Sequence, residues 1–103
     1  MDSVLVLIGY RQRQNDLGVW EKEKPCRREV FCKVNSISRA EFFSAGRNGL
    51  NPEWQFEIFA GVYNGETVCE YDGKTYGIYR TYHVPGTDYM ELYAERKGGA
   101  NGE

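Results

Sequence analysis

Three cysteines and one histidine are the residues of this sequence best suited to metal binding or nucleophilic chemistry: Cys26, Cys32, Cys69 and His83. Five residues separate the first two cysteines, long gaps follow, and no C-x-x-C pair occurs, so the spacing matches no common zinc site. A Ser or Cys triad would need His83, which has no G-x-S-x-G or Cys/His arrangement around it. Because the cysteine count is odd, we expect reduced thiols rather than a disulfide framework, with Cys32 and Cys69 buried as small apolar residues.

The acidic residues and the glycines form no catalytic pattern either. Acidic side chains are scattered along predicted strands without a glycosidase-type pair, and no glycine segment has the order of a phosphate-binding loop. We therefore expect no enzyme activity, no cofactor and no metal site, and we expect His83 to lie at the surface.

An aromatic cluster between Tyr76 and Tyr82 suggests a different chemistry, the stacking of nucleic-acid bases. Tyr76, Ile78, Arg80 and Tyr82 alternate onto one predicted strand face, with Tyr79 on the other, as on the platform of a small OB-type barrel. Stacking platforms come with a basic groove, whereas the sequence after residue 47 is acidic. A core face is the simpler interpretation. A small SH3-like or OB-like module that binds a peptide or single-stranded nucleic acid is the alternative function.

The composition is that of one small β-rich domain. The chain has 103 residues and a mass of 11.9 kDa; 41% of its residues are hydrophobic, 15% are aromatic and 12 are glycines. Its longest apolar run, residues 4–8, is too short for a bilayer span or a signal-peptide core, so we expect a soluble, non-secreted protein without membrane contact. The net charge of −2 gives no overall basic footprint for nucleic acid.

Charge is distributed unevenly along the chain. Residues 1–47 carry nine Lys or Arg against six Asp or Glu, whereas residues 48–103 carry four against nine. Opposite faces of like subunits could attract each other in this way, although scatter over a solvated surface is the simpler interpretation.

Alternating apolar residues and turn signals predict six or seven short strands. Asp72-Gly73 predicts a hairpin with a type I′ turn, and the polar segment from Arg11 to Gly18 predicts a turn. Pro25 interrupts the second strand. The strands are predicted at residues 3–8, 19–24, 28–36, 53–60, 67–71, 74–82 and 89–96.

One short helix is predicted from Arg39 to about Arg47. Ser38 and Glu41 have the spacing of a capping box, and glycines follow the apolar residues as stop signals. Since a helix of this length does not persist alone in water, we expect Phe42 or Phe43 to dock on the sheet.

These elements predict a mainly β fold, a small antiparallel β-barrel of six or seven strands with one short α-helix. We expect residues 1–97 to form this single domain and residues 98–103 to be a disordered tail. Strands joined by short turns should pair with their neighbours in sequence, except that the first strand should seal the barrel against a late one.

The order of these segments resembles the phage head-closure proteins, also called head–tail joining or head–tail connector proteins, of long-tailed phages. The similarity begins with a strand that leads into an S-R-x-E-F/Y-x-x-A helix, within Val34 to Gly46, and continues with the G-L-x-P-E turn, Gly49 to Glu53. It continues with the Y-N-G-E turn, Tyr63 to Glu66, and with the hairpin pattern V-x-Y-x-G-x-x-Y-x-I-Y. Val68, Tyr71, Gly73, Tyr76, Ile78 and Tyr79 match that pattern, with one additional residue between Val68 and Tyr71, and the similarity ends at Tyr89 to Tyr93.

This resemblance implies a structural virion protein without catalytic residues. In that family, small β-barrels form a homo-oligomeric ring of about twelve copies, a head-to-tail arrangement that needs two complementary surfaces on each subunit. The ring lies between a portal-adjacent adaptor protein and a tail-completion protein, and DNA passes through its channel without specific binding. The implied location is the host cytoplasm during assembly and then the virion neck.

Two sets of candidate residues follow from the motifs and from the polar segments. The first set is structural, and the second is a loop region that we expect to face the lumen or a neighbouring subunit. The structural set is Ser38, Glu41, Phe43, Gly49, Pro52, Asp72 and Gly73; the loop set is Arg11, Arg13, Asn15, Asp16 and Pro25.

Overall fold

A computed structural model describes residues 3–9, 12–14, 16–22 and 25–97 of the chain. Within these ranges the protein is mainly β, with eight strands, one α-helix and a single 3-10 turn at Ala60–Val62. The strands are β1 (Ser3–Gly9), β2 (Gln12–Gln14), β3 (Trp20–Lys22), β4 (Cys26–Ser36), β5 (Pro52–Phe59), β6 (Val68–Tyr71), β7 (Lys74–His83) and β8 (Tyr89–Arg96), and the helix is α1 (Arg39–Gly46).

Six antiparallel strands close into a barrel in the order β1-β4-β5-β8-β7-β6, which confirms the predicted fold class. As predicted, the first strand seals the barrel: β1 pairs with β4 on one side and with the later strand β6 on the other. The prediction that all other strands pair with sequence neighbours is wrong, because β5 pairs with β8, and β6 and β7 lie beyond them.

The segment predicted as a turn after β1 contains a strand instead. Gln12–Gln14 pairs antiparallel with Trp20–Lys22, and the two form a separate two-stranded sheet. Among the described residues of this segment, the turn lies at residues 16–18, where Gly18 has a φ of 80°. Backbone pairing with β3 thus makes this polar segment a strand. Its sequence has no alternation of apolar residues from which a strand could be predicted.

The core follows from the alternation of inward and outward side chains along most of the barrel strands. Inward positions are apolar and pack around Phe56 and Tyr76, whose rings meet edge to face with centroids 6.1 Å apart. The buried residues of this core are Leu5, Leu7, Val30, Cys32, Phe56, Ile58, Cys69, Tyr76, Leu92 and Ala94.

The hairpin between β6 and β7 has the predicted turn. Asp72 has a φ of 53° and Gly73 a φ of 76°, so both central residues adopt the left-handed conformation that a type I′ turn requires. Asp72 is the sole non-glycine residue with positive φ among the described residues.

Helix α1 begins as predicted but docks differently. The Ser38 hydroxyl accepts a hydrogen bond from the Glu41 backbone N–H at 3.1 Å, which forms half of the capping box. The prediction that Phe42 or Phe43 packs on the sheet is wrong: these side chains are 51% and 61% exposed, and the buried residue of the helix is Ala45.

A β-bulge in β7 changes which side chains of this strand point outward. Its pairing with β8 shifts between Ile78 and Arg80, so the alternation assumed from sequence fails there. Tyr79 and Arg80, which strict alternation would place on opposite faces, both reach the same carboxylate on α1.

The predicted tail, residues 98–103, lies outside the described residues. Within the described ranges, no helix is long and apolar enough to cross a membrane.

The type I′ turn provides a test of the fold. We expect Gly73→Ala to lower the free energy of unfolding by about 1–2 kcal/mol, because a Cβ disfavours the left-handed conformation. Gly46→Ala is the matched control, since Gly46 ends a helix and has open space around a Cβ; it should be neutral or stabilise by up to about 1 kcal/mol. Urea denaturation of both variants measures the difference, and equal effects would contradict the turn assignment.

Candidate interaction surface

The residues considered for metal or nucleophilic chemistry differ in exposure. Cys32 and Cys69 are buried in the core as predicted, Cys26 is exposed at the start of β4, and His83 is exposed at the end of β7. Burial raises the pKa of Cys32 to about 11 and that of Cys69 to about 12. Among the described residues, no group of three or more His, Cys, Asp or Glu side chains could hold a metal ion.

The aromatic cluster of β7 is divided between the core and the surface. Tyr76 is 1% exposed, and its hydroxyl accepts a hydrogen bond from Trp54 Nε1 and donates one to Glu53. Burial accordingly raises the pKa of Tyr76. Tyr82 lies at the surface, so the two tyrosines considered together for base stacking face different environments.

An ion pair occupies the end of the barrel near Gly9. Glu66 is buried, and its carboxylate accepts hydrogen bonds from Arg28 Nη2 at 2.5 Å and from the Asn64 backbone N–H at 2.9 Å. Burial alone would raise the pKa of Glu66, but these hydrogen bonds and the guanidinium charge lower it. A pocket of about 360 Å³ lies beside the pair; its polar walls are already paired with each other, which indicates a structural role.

A second carboxylate fastens α1 to the barrel. Glu41 Oε2 accepts a hydrogen bond from the Tyr79 hydroxyl at 2.7 Å, and Glu41 Oε1 accepts one from Arg80 Nη2 at 2.6 Å. Desolvation would raise the pKa of Glu41, but these two hydrogen bonds and the Arg80 charge outweigh it and lower the pKa. Burial is the main cause that raises the pKa of the Tyr79 hydroxyl, and the hydrogen bond to Glu41 raises it further. Glu41 therefore joins the helix to the bulged strand instead of completing the capping box.

This anchor continues across the outside of the barrel as a polar row. The Arg80 guanidinium carbon lies 4.0 Å from the centroid of the Tyr93 ring, in cation–π geometry. The Tyr93 hydroxyl donates to Glu91 at 2.6 Å and accepts from Gln55 Nε2 at 3.0 Å, and Asn35 Nδ2 donates to Gln55 Oε1 at 3.1 Å. The row holds β4, β5, β7, β8 and α1 in one fixed arrangement.

A row of apolar residues crosses the same outer face further along the strands. In β4, β5 and β8 the outward residues Phe31, Phe59 and Tyr89 are 70%, 49% and 40% exposed. Phe59 lies opposite Tyr89, and Val4 of β1 lies opposite Phe31. With Glu29, Val30 and Val62 the three rings line a depression of about 390 Å³, which we call the apolar groove. Exposed aromatic rings that meet in one depression are typical of a protein-binding surface.

Helix α1 carries a second exposed apolar surface. The rings of Phe42 and Phe43 contact each other edge to face, with centroids 6.0 Å apart. Arg39, Phe43 and Arg47 recur every fourth residue and are all exposed, so the three residues share one stripe of the helix surface. We call these four residues the helix patch.

The groove and the patch lie at opposite ends of the same strands. α1 joins the end of β4 to the start of β5, where Ser36 pairs with Trp54, whereas Phe59 is the last residue of β5. Five residues of strand span about 17 Å. One subunit thus presents two different apolar surfaces in two directions.

The structure shows the surroundings of the structural candidates. Ser38 caps α1, Gly49 has a φ of 79°, and Pro52 is buried at the start of β5. Two candidates differ from the prediction: Glu41 anchors the helix to β7 instead of completing the capping box, and Phe43 lies in the helix patch and contributes no core contact.

The predicted lumen loop is described only in part. Arg11 and Asn15 lie outside the described residues, and Arg13 is placed only as the middle residue of β2. Asp16 in the turn after β2 and Pro25 before β4 are both exposed.

Sequence reasoning missed the apolar groove. Val30, Cys32 and Val34 alternate onto the inward face of β4, and Phe31 lies between them on the outward face, where polar residues are expected. This apolar residue on the outward face was the signal available in the sequence. No signal predicted that Phe59 and Tyr89 lie beside it, because β5 and β8 are far apart in sequence.

Ion pairs within the subunit connect the two halves of the uneven charge distribution. The three ion pairs formed by described residues each join the first 47 residues to the remainder: Arg27–Glu70, Arg28–Glu66 and Arg80–Glu41. Part of the charge of each half is therefore neutralised within the subunit.

Comparison with known proteins identifies no relative: no protein-family model matches the chain, and no curated protein matches it.

The Glu41 anchor predicts a pH-dependent contribution to stability. We expect Glu41→Gln to lower the free energy of unfolding by about 1 kcal/mol at pH 7, a modest value because Arg80 is half-exposed. The pKa of Glu41 is lower in the folded than in the unfolded protein, where it is about 4.3. The contribution is therefore present above that pH and is lost as the pH falls through the folded pKa.

Urea denaturation of wild type and Glu41→Gln at pH 7 and at pH 3 measures this difference. Glu57→Gln, on the outer face of β5, is the control and should stay within about 0.5 kcal/mol of wild type. A difference between wild type and Glu41→Gln that is as large at pH 3 as at pH 7 would show that the charge of Glu41 does not anchor the helix.

Thiol exposure gives a simple check of the core. In the native protein we expect Cys26 alone of the three thiols to react promptly with a disulfide reagent, because Cys32 and Cys69 are buried and their pKa values are raised. All three should react in denaturant, and Cys26→Ser should abolish the prompt reaction. Prompt reaction of a second thiol in native Cys26→Ser would contradict this barrel packing.

Proposed function

We propose that the protein is a head-closure component of a phage neck, which assembles as a ring below the portal and its adaptor and joins the DNA-filled head to the tail. The observation that carries this proposal is the presence of two different exposed aromatic surfaces, the apolar groove and the helix patch, on one closed barrel. A ring built head to tail needs two unlike surfaces on each subunit. The resemblance to head-closure proteins supplies the biological context.

Barrel closure supports an assembly role through side chains. A sheet with open edges can associate through backbone pairing, but each of the six barrel strands already has two partners. Outward side chains are therefore the natural means of contact with other molecules along the barrel, and the exposed rings lie on that side.

The charge of the protein fits a channel that lets DNA pass. The net charge is −2, and Arg27, Arg28 and Arg80 are each paired with a carboxylate. Tight binding of DNA needs several free cationic groups aimed at phosphates. A ring with a weakly acidic or neutral surface does not bind tightly to the DNA that must pass through it.

The alternative, a small-barrel module for a peptide or a single strand, loses part of its basis because Tyr76 belongs to the core. Titration of labelled single-stranded DNA at low salt distinguishes the two functions, since electrostatic binding is strongest there. Saturable micromolar binding would favour the module.

Deletion of the gene from the phage or prophage that carries it is the decisive test of the neck function. Electron microscopy of the induced lysate should show free tails beside unattached heads, many of them emptied of DNA. A plasmid copy of the wild-type gene should restore joined particles, and Thr75→Asp, on the exposed face of β7, should restore them equally. Intact infectious virions from the deletion strain would exclude this function.

A further inference from the structure

We infer that the helix patch of one subunit docks into the apolar groove of a second copy of the same chain. This contact deepens the proposed ring function, on which its biological meaning rests, by naming the two surfaces that meet. The groove is lined by Phe31, Phe59 and Tyr89, and the occupant is the Phe42–Phe43 pair of α1.

Shape complementarity is the first reason for this pairing. The groove is a depression of about 390 Å³ with an apolar floor, whereas the Phe42 and Phe43 rings project from a helix and are more than half exposed. Rings that insert into an aromatic pocket are the usual anchors of protein interfaces.

Charge complementarity is the second reason. The helix patch carries the cations Arg39 and Arg47, while the only acidic residue of α1, Glu41, is neutralised by Arg80. The groove is lined by Glu29, and the outward charges nearest to its rings along the chain are mainly acidic. In the described ranges these are Asp88, Glu57 and Glu91 against Lys33. The Arg28 guanidinium also lies near the groove, where it donates to the carbonyl of Val62 at 2.7 Å, but its charge is paired with Glu66. A basic aromatic stripe therefore faces an acidic aromatic groove.

The position of the two surfaces is the third reason. They lie at opposite ends of β5, about 17 Å apart along the strand, and the Glu41 anchor holds α1 at its own end of the barrel. A subunit therefore cannot fill its own groove with its own helix. Two copies can make the contact in a head-to-tail manner, leaving one groove and one patch unoccupied for further copies.

Mixing two variants tests this contact directly. Phe31→Asp disables the groove, and Phe43→Asp disables the patch; both side chains point outward, so neither change should unfold the barrel. Each variant alone should self-associate about thirtyfold or more weakly than wild type in sedimentation velocity. An equimolar mixture should form a dimer and nothing larger, because it retains one functional groove and one functional patch.

Three controls make the result specific. Thr75→Asp adds the same charge at an exposed position of β7 that belongs to neither surface, and it should self-associate like wild type. Thermal unfolding confirms that each variant is folded, and Phe31→Ser and Phe43→Ser replace any variant that is not. Added salt should weaken the wild-type contact, since opposite charges surround it.

Several outcomes would overturn the inference. One is a wild-type protein that stays monomeric at about 1 mM, where even a contact with a Kd of that size is half formed. The others are self-association that survives either substitution, and a mixture of the two variants that contains no dimer. The phage deletion separates these failures from the function: a head-closure defect with no dimer in the mixture would reject this contact and keep the neck role.

Discussion

Closure of the barrel by β1 is the constraint on which the rest of the structure depends. Leu7 lies opposite Arg28 of β4 on one side and Cys69 of β6 on the other, so one strand fixes the register of both neighbours. A slip of one residue would turn every inward side chain of a strand outward. Closure by β1 therefore constrains the pairing register of all barrel strands, and the register determines which side chains point inward and which point outward.

The outward side of this register is organised in rows with different chemistry. The row through Tyr93 is polar and ties α1 to the barrel through Arg80 and Glu41. The row through Phe31 and Phe59 is apolar and has no covering element among the described residues. Both apolar surfaces are thus exposed and held in place. Hydrogen bonds fix α1, which carries the helix patch, and strand pairing fixes the apolar groove. Both surfaces are preorganised, which lowers the entropic cost of an association.

Local chemistry explains what could be predicted from sequence, and tertiary contacts explain what could not. The Asp72-Gly73 turn and the Ser38 cap depend on backbone preferences within a few residues, so they are visible in the sequence. The pairing of β5 with β8 and the bulge after Ile78 depend on distant partners. The same holds for the candidate surface: Glu41 reads as half of a capping box until the bulge brings Tyr79 to it, and this anchor leaves Phe42 and Phe43 free of the sheet.

Exposed aromatic rings carry the functional argument because the stability of the fold does not account for them. The core around Phe56 and Tyr76 is complete without Phe31, Phe42 or Phe43, and a soluble subunit would be less prone to aggregate without these rings at its surface. Each barrel strand already has a neighbour on both sides, so outward side chains are an available means of association along the sheet. Two such surfaces that differ in shape and in charge, held at opposite ends of one rigid strand pair, favour a chain of like subunits over a symmetric dimer, and a ring is the closed form of that chain.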